Sequence, residues 1–386
     1  MSDSALDFLI DENPVDDRQP QSDVKGSPVP DAVRRERIKI VGVGGGGNNA
    51  LDHIIRMGAT GVEFLAVNTD SHCLDSCLSV EKLILGEKLT RGLGAGSRPE
   101  VGESAAIESR EEIRACLKGC DMVYLAAGMG GGTGTGALPI IAEIAKDMGI
   151  LTVSVVTRPF SFEGKRRKAF AEKGIEKLKK AVDALIVVPN DRLLHLSERT
   201  TSLAEAFAMA DDVLRQAVQG VTDLVTKPGV VNVDFADLRN IMQHAGGAVM
   251  GIGRGSGEHR ASDALKRAME CPLMESSVHG AKGVILNVTA SMNIGITEVQ
   301  DAAERLSNLV DPDATFNWGL VYDEDLGEDI QMVVIATGYN MDSPEAKRSA
   351  EAKVREVGSA LSETLIDIDT LIDTPSYLRK KDKENK

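Results

Sequence analysis

The chemistry this chain can do is concentrated in glycine rather than in acid–base side chains. Two glycine-rich turns stand out, Gly42-Val43-Gly44-Gly45-Gly46-Gly47-Asn48-Asn49 and Gly128-Met129-Gly130-Gly131-Gly132-Thr133-Gly134-Thr135-Gly136. Each follows a short apolar run and precedes a stretch of helical spacing. Glycine lets a backbone approach an anion closely, and a helix start offers free N–H groups at the positive end of its dipole. Two such turns on one sheet suggest a cradle for a polyphosphate. The first turn alone has a rival reading. Gly42, Gly44 and Gly47 satisfy GxGxxG and Asp70 lies 23 residues beyond Gly47, as in a dinucleotide-binding unit of a nicotinamide-linked oxidoreductase. The second turn, with its two threonines, has no place in that fingerprint. A P-loop of the form GxxxxGK[ST] is absent, because Gly164-Lys165 is followed by Arg166.

Other candidates have plainer readings on spacing alone. Asp234 and Asp237 stand three apart at a helix start, where a capping residue and a dipole-facing acid are expected. Phe207 falls on an apolar helical stripe, which reads as core, and Asp211 with Asp212 reads as a solvated face. Cys73/Cys77 and Cys116/Cys120 are each four apart with His72 nearby, without the tight knuckle of a structural zinc site. Free cysteine commonly behaves as a small hydrophobe, so no metal site is expected.

The elements that must hold these residues alternate. Apolar runs of strand length occur at 38–43, 64–68, 122–127, 151–157 and 184–189, with helix-length segments at 49–57, 103–116, 138–148 and 167–180. Near-continuous apolar strands alternating with helices indicate a parallel sheet covered on both faces. In such sheets ligands bind beyond the carboxyl ends of the strands, where both glycine turns fall. A helical stripe then runs from Leu203 to Val225 and stops at Thr226-Lys227-Pro228-Gly229. Further strands are expected at 283–289 and 332–337 and a helix near 298–309.

Composition bounds the class. The 386 residues allow two or three domains. A formal charge of −15 argues against sequence-blind nucleic-acid binding, which needs a basic footprint. The N-terminus lacks a signal pattern, and the uncharged run 122–142 carries too many glycines, and Pro139, for a membrane helix. Five cysteines, an odd number, fit a reducing compartment, so a cytoplasmic protein is expected.

Residues 130–136, Gly-Gly-Gly-Thr-Gly-Thr-Gly, resemble the signature loop of the tubulin superfamily, and within it the chain is similar to the FtsZ family of bacterial cell-division GTPases. Gly92-Leu93-Gly94-Ala95-Gly96, Phe162-Glu163-Gly164-Lys165, Pro189-Asn190-Asp191 and Asn232-Val233-Asp234-Phe235-Ala236-Asp237 match in order and spacing, over residues 38–338. The resemblance implies a tubulin-like, Rossmann-type parallel-sheet GTPase domain joined by a long central helix to a smaller α+β domain. On that reading residues 1–36 are a disordered acidic extension, 37–202 bind GTP, 203–227 are the connecting helix, and 228–340 form an activation domain. Residues 341–364 are then a short helix-prone linker and 365–386 a partner-binding peptide with a basic tail.

The same resemblance implies the site. Gly45, Gly46, Gly47, Asn48 and Asn49 would hold the α- and β-phosphates, closed over by Gly132, Thr133 and Gly134, with Ala95 and Gly96 facing the γ-phosphate. Glu163 and Arg167 would contact the ribose, Phe207 would stack on the base, and Asn190 and Asp211 would read it. A carboxylate can accept from guanine N1–H and its amino group together, a donor pair adenine lacks. Asp234, Asp237 and Asn232 would enter the neighbouring subunit's site and polarise the attacking water, so that head-to-tail assembly into filaments switches hydrolysis on. Mg²⁺ is expected with the nucleotide. Asp373, Pro375, Tyr377, Leu378 and Arg379 would bind membrane-tethering division proteins at mid-cell.

Three positions depart from the family pattern. Asn48 replaces a glycine, where an Asn tolerant of left-handed backbone is expected to serve. Ser97-Arg98-Pro99 stands where the family has Ala-Asn-Pro, which would add a cation near the γ-phosphate. The tail carries Thr374 and Ser376-Tyr377 where the family has Ile and Ala-Phe.

Overall fold

The computed structural model describes residues 36–195, 201–226, 231, 233–271, 274 and 278–338. Its first part alternates as the apolar runs predict. Strands β1 (Ile38–Val43), β2 (Glu63–Asn68), β3 (Glu81–Ile84), β4 (Met122–Gly128), β5 (Leu151–Arg158) and β6 (Ala184–Pro189) are interleaved with helices. These are α1 (Gly44–Arg56), α2 (Ser71–Ser76), α3 (Glu87–Thr90), α4 (Pro99–Glu108), α5 (Arg110–Leu117), α6 (Thr133–Asp147) and α7 (Lys165–Ala181). Then come α8 (Leu203–Thr226), α9 (Phe235–Met242), β7 (Gly246–Gly255), α10 (Arg260–Met269), β8 (Gly283–Ala290), α11 (Ile296–Ser307), β9 (Thr315–Tyr322) and β10 (Ile330–Thr337).

All ten strands form one sheet in the order β3-β2-β1-β4-β5-β6-β7-β10-β8-β9. From β3 to β7 every pairing is parallel, and β10 pairs antiparallel with both β7 and β8. Three residue pairs, Ala184–Gly246 to Ile186–Ala248, join β6 to β7. The period-two alternation of the strands divides the core. Ile38 and Ile40 of β1 point to one buried cluster with Leu51 of α1 and Leu214 of α8. Val41 and Val43 point to the other with Leu138 of α6 and Leu178 of α7. Both faces are therefore covered, which explains why the strands read as continuous apolar runs.

Helix boundaries differ from the sequence expectation where glycine is involved. The first turns of α1 and α6 begin inside the glycine-rich turns, not after them. The segment 103–116 is broken at Ser109, whose hydroxyl accepts the Gly86 N–H at 3.0 Å. The uncharged run 122–142 is a strand, a turn and a helix start; among the described residues no helix is long and apolar enough to cross a membrane. All five cysteines are free thiols.

Candidate functional site

The carboxyl ends of β1, β4, β5 and β6 open into a cleft of about 420 Å³. Its floor is made by the two glycine turns in contact. Gly44 has φ +72°, and a Cβ there would lie 2.9 Å from the Gly134 nitrogen. A Cβ on Gly47 would lie 2.3 Å from the Ala126 carbonyl oxygen, so only glycine lets α1 start this close to β4. Neither α1 nor α6 has a side-chain N-cap. Two helix starts with unsatisfied N–H groups therefore face one space, an arrangement built for an anion. The Thr69 and Thr133 hydroxyls are hydrogen-bonded at 2.7 Å, which ties the end of β2 to the start of α6.

Gly45, Gly46, Asn49, Gly132, Thr133, Gly134, Glu163, Arg167, Asn190, Phe207 and Asp211 all line the cleft. Phe207 is not core: near the start of α8, where Leu203 and Ala204 are also exposed, its ring is 39% exposed and lines the cleft. Glu163 Oε2 pairs with Arg167 Nη1 at 2.5 Å, and its Oε1 accepts the Phe160 N–H at 2.9 Å. Asn190 is buried, and its Oδ1 has no hydrogen-bond donor. Burial, with the adjacent Asp212 charge adding to it, pushes the Asp211 carboxyl up to about 7. One end of the cleft thus presents an orphaned acceptor and a carboxylate held back from ionising. Both would be satisfied by a ligand edge that carries N–H donors.

Four residues implied for the phosphates are not among those lining the cleft. Gly47 is packed under the first turn of α1. Asn48 is buried and helical, not left-handed: its amide lies against the carbonyls of Gly42 (3.1 Å), Gly44 (2.6 Å) and Val67 (3.2 Å), which orients its NH₂ group toward them. It ties the turn together from inside. Ala95 is buried against Gly132, and Gly96 (φ +58°) follows it in a segment that backs the second glycine turn. Arg98 is exposed on that segment, ahead of α4. Sequence reasoning missed Thr157, Pro159 and Ala210 in the lining. Thr157 and Pro159 follow from the strand-end rule, since β5 ends at Arg158.

Asp70, the acid of the dinucleotide rival, is occupied as the N-cap of α2, accepting the His72 N–H at 3.0 Å. Among the described residues no three His, Cys, Asp or Glu side chains are grouped to hold a metal ion.

Asp234 and Asp237 are not in the cleft. Asp234 caps α9, and Arg239 of that helix donates to the Asp121 carbonyl at 3.2 Å, at the amino end of β4. The loop after α9 leads into Gly246, whose N–H bonds the Asp183 carbonyl just before β6. The two carboxylates therefore belong to the opposite end of the strands from the cleft, about 20 Å away by strand rise. Asn232 lies outside the described residues, as do Asp373, Pro375, Tyr377, Leu378 and Arg379.

Comparison with known proteins finds matches in both halves of the chain. Residues 37–198 match the Tubulin/FtsZ family GTPase domain, and residues 246–340 match the FtsZ family C-terminal domain. An empty FtsZ dimer from M. jannaschii is 41% identical over 80% of this chain and 89% of its own, with a TM-score of 0.76. A point mutant of FtsZ from M. jannaschii gives the same identity and TM-score over 79% and 91%. CetZ2 from Haloferax volcanii, solved as a protofilament with GTPγS bound, shares the fold at 19% identity, covering 85% of this chain and 100% of its own, with a TM-score of 0.68. The chain belongs to the tubulin/FtsZ family and is a guanine-nucleotide-binding GTPase.

Proposed function

We propose that this protein assembles head to tail into filaments, hydrolyses GTP at a site completed between subunits, and serves as the cytoplasmic polymer of a bacterial division ring at mid-cell. The observation that carries the reading is the separation of the acids from the cleft: Asp234 and Asp237 lie at the end of the sheet opposite Gly44–Asn49 and Gly132–Gly134. A second copy stacked end to end brings the acids of one subunit to the cleft of the next. Such a heterologous contact propagates into a filament unless it closes.

Within the cleft, backbone groups of Gly45, Gly46 and Gly132–Gly134, with Asn49, take the phosphates, and Gly47 and Asn48 support them from beneath. Ala95 and Gly96 border the γ-phosphate. Glu163 and Arg167 reach the ribose, and Phe207 stacks on the base. Asn190 Oδ1, which has no donor partner, and the buried Asp211 carboxylate accept from guanine. Asp234 and Asp237 of the neighbour, with Asn232, orient a water whose oxygen attacks the γ-phosphorus as GDP departs. Phosphoryl transfer asks mainly for positioning and charge stabilisation, so completing the site by assembly is enough to switch it on. Mg²⁺ would spread the phosphate charge. With no carboxylate cage among the described residues, it would arrive on the nucleotide.

On this reading residues 37–202 and 228–340 are the nucleotide-binding and activating parts on either side of the helix 203–227. The tail around Asp373, Pro375, Tyr377, Leu378 and Arg379 recruits membrane-tethering partners. The test is GTP hydrolysis per subunit as protein concentration is raised through the micromolar range. A sharp onset coinciding with light scattering is expected. A constant specific activity at all concentrations would overturn the shared site.

A further inference from the structure

Asp191 follows Asn190 at the end of β6 and takes no part in the roles assigned above. Its carboxylate grips one residue twice: Ser161 donates its N–H to Oδ1 at 2.6 Å and its hydroxyl to Oδ2 at 2.5 Å. Ser161 opens the short turn Ser161–Glu163, which also carries Glu163 to the cleft. The rings on either side of Ser161 are stacked, Phe160 on Phe162, with centroids 5.0 Å apart and planes 12° apart. Both rings then meet Phe207 edge-on, Phe160 at 5.4 Å and 87°, Phe162 at 6.4 Å and 85°. Phe160 is buried, but Phe162 is 55% exposed, an unfavourable place for a large apolar ring unless its contact with Phe207 is used.

The consequence is orientational. Phe207 stands near the exposed start of α8, 39% exposed itself, and the stacked pair meeting it edge-on fixes the plane of its ring. Stacking by itself tolerates any base, because every base has a π face. Selection arises only if the stacked base is held so that its edge meets Asp211 and Asn190. We infer that the Asp191–Ser161 clamp and Phe162 are positioning elements for base selection, holding the Phe207 ring in the plane that aligns guanine, but not adenine, with its hydrogen-bonding partners. This rests on the proposal that the cleft takes GTP.

The phosphates bind elsewhere, on the glycine turns, so the clamp separates from phosphate affinity in experiment. GDP and ADP affinities of the full chain would be measured by competition against a fluorescent guanine nucleotide, for wild type, Asp191→Ala, Ser161→Ala, Phe162→Ala and Phe162→Tyr. Asp191→Ala and Phe162→Ala are expected to weaken GDP about tenfold while leaving ADP unchanged, so the GDP-over-ADP ratio collapses. Ser161→Ala, which keeps its backbone N–H on Asp191, should lose less, and Phe162→Tyr, which keeps the ring, should retain the ratio. An unchanged ratio, whether from equal weakening of both nucleotides or from no weakening, would overturn the clamp. Should Asp191→Ala fail to fold, the exposed Phe162 pair still decides. A wild type with no guanine preference would overturn the functional reading itself, and is distinguishable because it needs no variant.

Discussion

Asp237 donates its backbone N–H to Asp234 Oδ1 at 2.7 Å, so the two acids proposed to act together are not equivalent. Asp234 caps α9 while Asp237 projects into solvent one turn on. Asp237→Ala is expected to leave stability unchanged and to lower assembly-dependent GTP turnover by about 10²-fold or more. Asp234→Ala should show the same loss together with about 1 kcal/mol of destabilisation from the missing cap. Denaturant melts alongside phosphate release distinguish the two.

A shared site makes complementary defects rescue each other. Asp237→Ala has an intact cleft, and a Gly45→Val subunit has intact acids. Mixed in equal amounts, two inactive proteins should recover hydrolysis at roughly a quarter of their contacts, those that pair a good cleft with good acids. No recovery in mixed filaments would count against activation across the subunit boundary.

Asp211 gives the pH dependence a sign. Its carboxyl titrates near 7 because burial and Asp212 disfavour the charge, whereas guanine is accepted by the ionised form. GDP binding must therefore expel a proton below pH 7. Affinity should rise by up to about tenfold per pH unit from 5.5 toward 7 and flatten above it. Asp211→Asn should weaken GDP and abolish the slope. Fluorescence titrations between pH 5.5 and 8.5 would show a flat wild-type profile if the carboxyl plays no part.

Two neighbouring glycines predict opposite phenotypes. A Cβ at Gly45 meets nothing within 4 Å and would stand in the cleft, so Gly45→Ala should weaken GDP without altering stability. A Cβ at Gly47 would fall 2.3 Å from the Ala126 carbonyl, so Gly47→Ala should cost about 1–3 kcal/mol or prevent folding. Thermal melts with and without GDP compare them directly.

Asn48→Ala removes the amide whose two N–H groups donate among the Gly42, Gly44 and Val67 carbonyls, at a cost of about 1–3 kcal/mol. Because the same bonds hold the first turn, GDP should restore part of the lost stability. A variant as stable as wild type would mean the amide makes no such bonds.

The amino-acid order determined the strands β1, β2, β4, β5 and β6, because a parallel sheet covered on both faces demands unbroken apolar runs of strand length. It also located both glycine turns, and with them the cleft, since a strand end followed by glycines and a helix start has few physical uses. Propensity failed where close approach overruled it. Strand β7 reads poorly because Gly251, Gly253 and Gly255 interrupt it, yet a Cβ on each would lie about 2 Å from the Ala268, Ala264 and Arg260 carbonyls of α10. Those glycines are what let the helix lie on the strand. Short β3 and half-polar β9 escaped notice for a similar reason, since edge strands carry little apolar signal. Only the tertiary structure decided what Asn48, Phe207 and Asp191 do. Asn48 faces inward because carbonyls of the turn (Gly42, Gly44) and of β2 (Val67) meet there, Phe207 is exposed near the start of α8 rather than packed in the core, and Asp191 meets Ser161 across 30 residues of chain. Spacing along a sequence fixes what lies on one face of one element. Which elements approach each other, and what their side chains then satisfy, depends on packing between segments far apart in the chain.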